Sequence, residues 1–306
     1  MAMAYVFTGL GGPEVETFAD LPRPVPGPGQ LLVRVRAAGV NPVDWKRRTG
    51  YRPAGAPAPD LPAVFGSEAA GVVEEVGEGA DGFAAGDEVF GTPAAGAFAE
   101  YTLFAVTGAA HKPAGVSWTD AAALAVAAPT AYDALRQLDL PKGATLLVNG
   151  AGGGVGVAAV QLARHDGLTV LGVASAAKKD FLESLSAVHV ASGPGVADRA
   201  RAAAPAGIDG VFDLVGGDPL REVAELLTDR SRLVSGADRT TSAELGGGPV
   251  LRRRTPDVLD AVAALVTEGV LDPHVTGTFP FADAGLALRA VEQGHARGKI
   301  VIEFDA

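Results

Sequence analysis

The stretch NGAGGGVGVAAVQLAR at 149–164 limits what this chain can fold into more than any other part of it. Before it runs ATLLVN (144–149), a short β-type segment. After the glycines, Val157, Val160, Gln161 and Leu162 recur at helical spacing. Strand, glycine turn and helix in that order form the context of a dinucleotide-binding turn. Read as A-x-G-x-x-G, Ala151 takes the tight-turn position. Gly153 lets backbone N–H groups approach a pyrophosphate, and Gly156 lets the helix pack closely on the strand. Gly152, Gly154 and Val155 complete the candidate cradle. The helix N-terminus then offers unpaired N–H groups and a partial positive charge to an anion.

The chain changes character on the way to that turn. Residues 1–117 read as a β-rich unit, with strands expected at LLVRVRAAGV (31–40), AAGVVEEVG (69–77) and after GDEVFG (86–91). RPVPGPGQ (23–30) and YRPAGAPAPDLP (51–62) are too rich in proline for helix or central strand. From residue 118 helices and strands alternate. SWTDAAALAVA (117–127) places a serine cap before an alanine-rich helix. LTVLGVAS (168–175), GIDGVFDLVGG (207–217) and RLVSG (232–236) follow as apolar strands, with helices between them and a helix at PDVLDAVAALVTEG (256–269). Such repeats predict an α/β region, a doubly wound parallel sheet over 118–272. A tail over 273–306 ends in a strand expected to return to the N-terminal unit.

Composition narrows the function classes. A chain of 306 residues buries roughly three quarters of its unfolded surface and by size forms about two domains. It has no cysteine, which removes disulfides, thiolate nucleophiles and cysteine-ligated zinc, and fits a cytoplasmic protein. No apolar run reaches the roughly 18 residues of a membrane span, and MAMAYVFTGLGG lacks the pattern of a signal peptide. A net charge of −11 argues against a nucleic-acid partner. The local exception, Arg252 to Arg254, reads as a solvated strand end or a contact within an oligomer.

The order of motifs resembles the medium-chain dehydrogenase/reductase superfamily, in its zinc-free quinone oxidoreductase and enone reductase branch. The resemblance rests on AAGVNPVDWK (37–46), FGSEAAGVVEEVGEGADGFAAGDEVFG (65–91), GAFAEY (96–101), PTAYDAL (129–135), GAGGGVG (150–156), FDLVGG (212–217) and GHARGKIVI (294–302). It implies a GroES-like catalytic domain built from both chain ends, a Rossmann domain inserted between, and an active site in the cleft. The abundant alanine and arginine suggest a bacterial source, and the expectation is a cytoplasmic enzyme acting on a small molecule as a homodimer. Zinc relatives carry cysteine and histidine where this chain has Asn41 and Ser67, so Glu68 is left alone of the zinc-type pattern. The five histidines, His111, His165, His189, His274 and His295, are scattered.

The family places the segment NPVDWKRRTGY beside nicotinamide and substrate, which makes Asn41, Lys46 and Tyr51 the candidate catalytic groups. Asp44 reads as a cap or brace of this loop, and Trp45 and Phe98 as an apolar wall or as core. Lys46, Thr130, Val215, Ser235 and Gly236 join the glycine turn as candidate cofactor contacts. Cofactor choice follows from charge. In LGVASAAKKD no acid precedes Asp180 to take a ribose 2′-OH, whereas Ser175, Lys178 and Lys179 suit a 2′-phosphate and hence NADPH. Ser192 and Gly193 stand where many relatives have an aromatic cover. The leading expectation is an NADPH-dependent reductase of quinones or α,β-unsaturated carbonyls. A non-catalytic partner protein, or an enzyme with no net redox change such as a cyclase or isomerase, stays open.

Overall fold

The structure, a computed structural model, describes residues 1–52, 58–294 and 297–305. The chain opens with strands β1 (Ala2–Phe7), β2 (Glu16–Leu21) and β3 (Gln30–Val40), then helix α1 (Pro42–Arg48). Strands β4 (Ala63–Val64), β5 (Glu68–Val76), β6 (Glu88–Pro93) and β7 (Tyr101–His111) follow, then helix α2 (Trp118–Leu138). Next come β8 (Thr145–Asn149), α3 (Gly154–His165), β9 (Thr169–Ala174), α4 (Lys179–Ser184), β10 (Val188–Ala191) and α5 (Val196–Ala203). The series continues with β11 (Gly210–Asp213), α6 (Gly217–Ala224), β12 (Leu233–Ser235), α7 (Arg239–Glu244) and β13 (Gly248–Pro249). It ends with α8 (Pro256–Thr267), β14 (Val275–Pro280), α9 (Ala284–Glu292) and β15 (Lys299–Glu303).

Two compact units form. The first comprises residues 1–126, 254–267 and 275–306; the second comprises 127–253 and 268–274. Residues 118–126 and 254–267, read from sequence as part of the Rossmann region, group with the first unit.

The first unit is built on a six-stranded sheet in the order β14-β15-β3-β5-β6-β7, and β3 pairs back to β7 so that the sheet curls round. One long strand serves three partners. Residues Gln30–Arg34 of β3 pair with β7, residues from Leu31 to Gly39 pair with β5, and Ala37–Val40 pair with β15. The last strand therefore lies antiparallel against one of the first, with Val301 opposite Gly39. Alternation along β3 sends Leu31, Val33 and Val35 into a core shared with Phe65, Val73, Phe98, Phe104 and Ile302. Strands β1 and β2 add a small sheet with β4; their short, irregular apolar pattern gave no strand expectation from sequence. Arg48, fully buried, fixes α1 in this unit by pairing with Glu16 and with Glu292, the latter at 2.7 Å.

The second unit holds a parallel six-stranded sheet, β10-β9-β8-β11-β12-β13. Numbered within the sheet this is the order 3-2-1-4-5-6 of a Rossmann fold. Its strands are apolar along their length, as burial on both faces requires: Leu146, Leu147 and Val148 of β8 and Val211 and Phe212 of β11 are inaccessible. In this order the strand direction of growth reverses between β8 and β11. Ligands of such sheets bind outside the carboxyl ends of the strands at that point.

Candidate functional site

The glycine turn sits at the reversal. Gly150 leaves β8 at φ 90°, a conformation that side chains disfavour. The N–H groups of Gly150 and Ala151 both donate to the Val173 carbonyl at 3.0 Å, which pins the turn to β9. Gly153 is the N-cap in extended conformation and α3 begins at Gly154. A Cβ on Gly156 would run into the Gly150 carbonyl oxygen and lie 2.6 Å from Ala151 Cα; only glycine permits this approach of helix to strand. A Cβ on Gly153 would meet nothing nearer than 3.8 Å, so its bareness serves space outside the fold. The first turn of α3 has N–H groups that no intrahelical acceptor can reach. This turn fits a pyrophosphate, and with it a nicotinamide dinucleotide.

The neighbouring strand ends are organised by a residue that sequence reading passed over. Asp213, fully buried at the end of β11, accepts from Asn149 Nδ2 at 2.8 Å, Ser235 Oγ at 2.6 Å and the N–H groups of Val215 and Gly216. It ties β8, β11 and β12 together where the sheet opens. Ser235 is thereby buried and committed, Gly236 donates to the Asp213 carbonyl, and Val215 is half exposed. Thr130 is buried within α2. The FDLVGG motif was a visible signal; the role of its aspartate needed the third strand beside it.

At the end of β9, Ser175 is exposed and stands at the start of a short 3-10 turn, its side chain making no capping hydrogen bond. Lys178 reaches back over the glycine turn, its Nζ donating to the Gly152 carbonyl at 3.0 Å. Lys179 is exposed, with Glu183 Oε1 3.9 Å away. The structure thus brings Lys178 to the turn and leaves Lys179 at the surface. Where the aromatic cover is missing, Arg199 closes the loop after β10 by donating to the carbonyls of Ala191, Gly193 and Pro194.

In the first unit, the residues at the zinc-type positions form a closed network. Glu68, with no exposure, accepts from Lys299 Nζ at 2.5 Å, Asn41 Nδ2 at 2.8 Å and the Val126 N–H at 2.7 Å. Lys299, the first residue of β15, also donates to Asn41 Oδ1 at 2.7 Å, and Asn41 Nδ2 lies 3.1 Å from Ser67 Oγ. Asn41 is therefore buried and its side chain fully engaged. These residues do not fit zinc. The donors are an amide, a hydroxyl and one carboxylate, and an ammonium already neutralises that carboxylate. No cluster of three or more His, Asp or Glu suited to a metal occurs among the described residues.

Asp44 lies beneath the same network. Its Oδ2 accepts from the Asn41 N–H at 2.8 Å, which caps α1 as the sequence suggested, while Oδ1 is buried without a hydrogen-bond partner among the described residues. Burial pushes this carboxyl up to about 7; the Asn41 and Ser67 contacts and the Lys299 charge oppose the rise, and the Glu68 charge adds to it. Lys46 is exposed, its Nζ 5.7 Å from the centroid of the Trp45 ring, and Tyr51 is exposed as well. Trp45 packs against the core and Phe98 lies inside it. His295 and residues 53–57 of the proline-rich loop lie outside the described residues. In the basic run Arg252 and Arg253 are exposed, Arg252 donating to the Gly236 carbonyl and the Arg253 N–H to Asp133 at 2.7 Å, while Arg254, ahead of α8, is half-buried.

The chain matches the alcohol dehydrogenase GroES-like domain over residues 27–114 and the zinc-binding dehydrogenase family over residues 185–302. The human synaptic vesicle membrane protein VAT-1 homolog is 31% identical over 337 residues, covering 97% of this chain and 85% of that protein. Human quinone oxidoreductase is 42% identical over 168 residues, 54% of this chain and 50% of that one. The structure of the quinone oxidoreductase from Coxiella burnetii aligns with a TM-score of 0.89 at 29% identity, over 99% of both chains. With its two-part fold and its glycine turn at the reversal of a Rossmann sheet, the chain belongs to the medium-chain dehydrogenase/reductase superfamily, in the quinone oxidoreductase branch of these nicotinamide-dependent oxidoreductases.

Proposed function

We propose that the protein is an NADPH-dependent reductase that acts on quinones or α,β-unsaturated carbonyls without zinc. The observation that carries this reading is the intact glycine turn, with an open Gly153 face and a close-packed Gly156. The similarity to quinone oxidoreductases supports the reaction class. The ammonium of Lys299, seated on the one carboxylate of the zinc-type positions, supports a metal-free reaction.

When bound, the nicotinamide supplies the hydride. The chain must supply position and charge. Hydride arriving at the β-carbon of an enone leaves negative charge on the carbonyl oxygen, and donors fixed near that oxygen lower the barrier most. Lys46, on α1, and Tyr51, just after it, are exposed donors and are assigned this task. Asn41 is assigned a positioning role, since its amide is occupied by Lys299, Glu68 and Ser67. Ser175, Lys178 and Lys179 are assigned to the 2′-phosphate, in the absence of a competing acid on that turn. We extend the reading to a cytoplasmic homodimer; no described helix is long and apolar enough to cross a membrane.

The test is cofactor oxidation by purified protein with quinones, enones and enals, using NADPH and NADH in parallel. Turnover with NADPH that survives prolonged chelation is expected. Binding of the dinucleotide without turnover of any acceptor would favour a non-catalytic protein or one with no net redox change. Loss of activity together with a stoichiometric metal would overturn the zinc-free assignment.

A further inference from the structure

The glycines of the turn are bare for different reasons, and the reason at Gly152 is a side chain. Its φ lies outside the left-handed region, so the backbone there admits any residue. A Cβ on Gly152 would run into Cδ of Lys178 and lie 3.4 Å from its Cε and Nζ, and these are the three atoms nearest to it. The space of a side chain is thus filled by the lysine. Its stem crosses the turn, and its ammonium donates to the Gly152 carbonyl at 3.0 Å. The other end of Lys178 is fixed as well, its N–H donating to the Ser175 carbonyl at 2.9 Å just after β9. The turn and β9 are themselves joined, by the Ala151 N–H on the Val173 carbonyl at 3.0 Å. The ammonium therefore stands where the first turn of the Rossmann order meets the end of its second strand. A dinucleotide on this fold lays its pyrophosphate on that turn and its adenosine ribose at the end of that strand.

We infer that Gly152 is a positioning residue for NADPH: its missing side chain is the seat that holds the Lys178 ammonium beside the ribose 2′-phosphate. The inference rests on the NADPH reading and adds to it a determinant inside the glycine turn, 26 positions before the lysine it serves. An untethered lysine must give up many rotamers when it meets a phosphate. One lying across Gly152 has given up most of them before the ligand arrives. The doubly charged 2′-phosphate gains from that arrangement, whereas the neutral 2′-OH of NADH gains little. A methyl group at 152 would evict the stem at little cost to the fold, because a flexible side chain gives way where backbone does not. The ammonium would then lose its seat.

The experiment titrates 2′,5′-ADP and 5′-AMP, which differ only in the 2′-phosphate, into wild type, Gly152→Ala, Lys178→Met and the double variant by calorimetry. The quantity read is the ratio of the two dissociation constants in each protein, so that a change in the part common to both nucleotides cancels. In the wild type 2′,5′-ADP should bind at least about tenfold more tightly. Gly152→Ala should shrink that ratio about fivefold or more while its melting temperature stays within a few degrees, and Lys178→Met should shrink it at least as far. In the Lys178→Met background Gly152→Ala should change the ratio by less than about twofold, since the lysine through which it acts is gone. A ratio kept in Gly152→Ala but lost in Lys178→Met would overturn the inference and leave the NADPH reading standing. Independent losses that add in the double variant would do the same. A Gly152→Ala chain that fails to fold would also overturn it, because the turn itself would then require the glycine. Equal binding of both nucleotides by the wild type would sink the NADPH reading and the inference with it.

Discussion

Single residues set two measurable properties. Asp44 holds its proton to about pH 7 in the fold, while its ordinary value is 3.8. The folded state therefore binds the extra proton between those values. Its favourable contribution is complete below the lower value and is lost as pH rises through about 7. Asp44→Asn keeps an oxygen for the Asn41 N–H and cannot ionise. Relative to wild type, its stability should improve by up to about 4 kcal/mol from about pH 4 to about pH 8, measured by urea denaturation at each pH. Ser67, Glu68, Lys299 and Arg254 surround the group and stay unchanged in that comparison. The lysines after β9 set the second property. Lys178 is drawn over the turn and Lys179 stands at the surface, so Lys178 should carry more of the 2′-phosphate interaction. Replacing both with alanine should raise KM for NADPH about tenfold or more and leave KM for NADH nearly unchanged, since charge-assisted bonds to phosphate are about 1.5 to 3 kcal/mol. Parallel loss of both cofactors would show instead that the lysines only hold the turn together.

At the scale of elements, β8, the turn and α3 form one device in which two glycines have different jobs. Gly156 is needed by the fold, because any Cβ there meets the Gly150 carbonyl and Ala151. Gly153 is not needed by the fold in that way, because a Cβ there meets nothing nearer than 3.8 Å, and its proposed role is toward the ligand. Gly156→Ala should cost about 1–3 kcal/mol of stability and weaken dinucleotide binding with it. Gly153→Val should leave the melting temperature within a few degrees of wild type while abolishing binding, as followed by nicotinamide fluorescence. Reversal of that pattern would mean that the turn is anchored differently from the structure. The cap of α2 illustrates how local such features are: Ser117 Oγ accepts from the Asp120 N–H at 3.0 Å, three residues away.

Across the whole first unit, the two ends of the chain meet. Strand β15 lies between β14 and β3, and its first residue carries the ammonium that neutralises Glu68. Lys299→Met would leave a buried carboxylate without its cation and should cost about 3–5 kcal/mol, read as a drop in urea midpoint. Adding Glu68→Gln should restore much of that loss, because the remaining groups are neutral and still able to hydrogen-bond. A double variant no more stable than Lys299→Met alone would show that the lysine matters for packing rather than charge.

Much of this molecule is legible in local sequence because its causes are local. The glycine turn, the apolar strands of the Rossmann sheet and the serine cap of α2 each depend on residues within a few positions of one another. The residue types at the zinc-type positions, Asn41, Ser67 and Glu68, were equally readable, since they are letters of the chain itself. What sequence could not supply is the partner of each polar group. Lys299 in GHARGKIVI carries no sign that it will meet Glu68, 231 positions away. FDLVGG does not reveal that Asp213 binds three strand ends, and RRR carries no sign that Arg253 will meet Asp133, 120 positions away. The physical reason is that hydrophobic periodicity is written along the chain, whereas the cost of burying a charge is set by whatever the fold brings beside it. Sequence determined the sheet and the turn; tertiary structure decided which buried charges meet, as Lys299 meets Glu68.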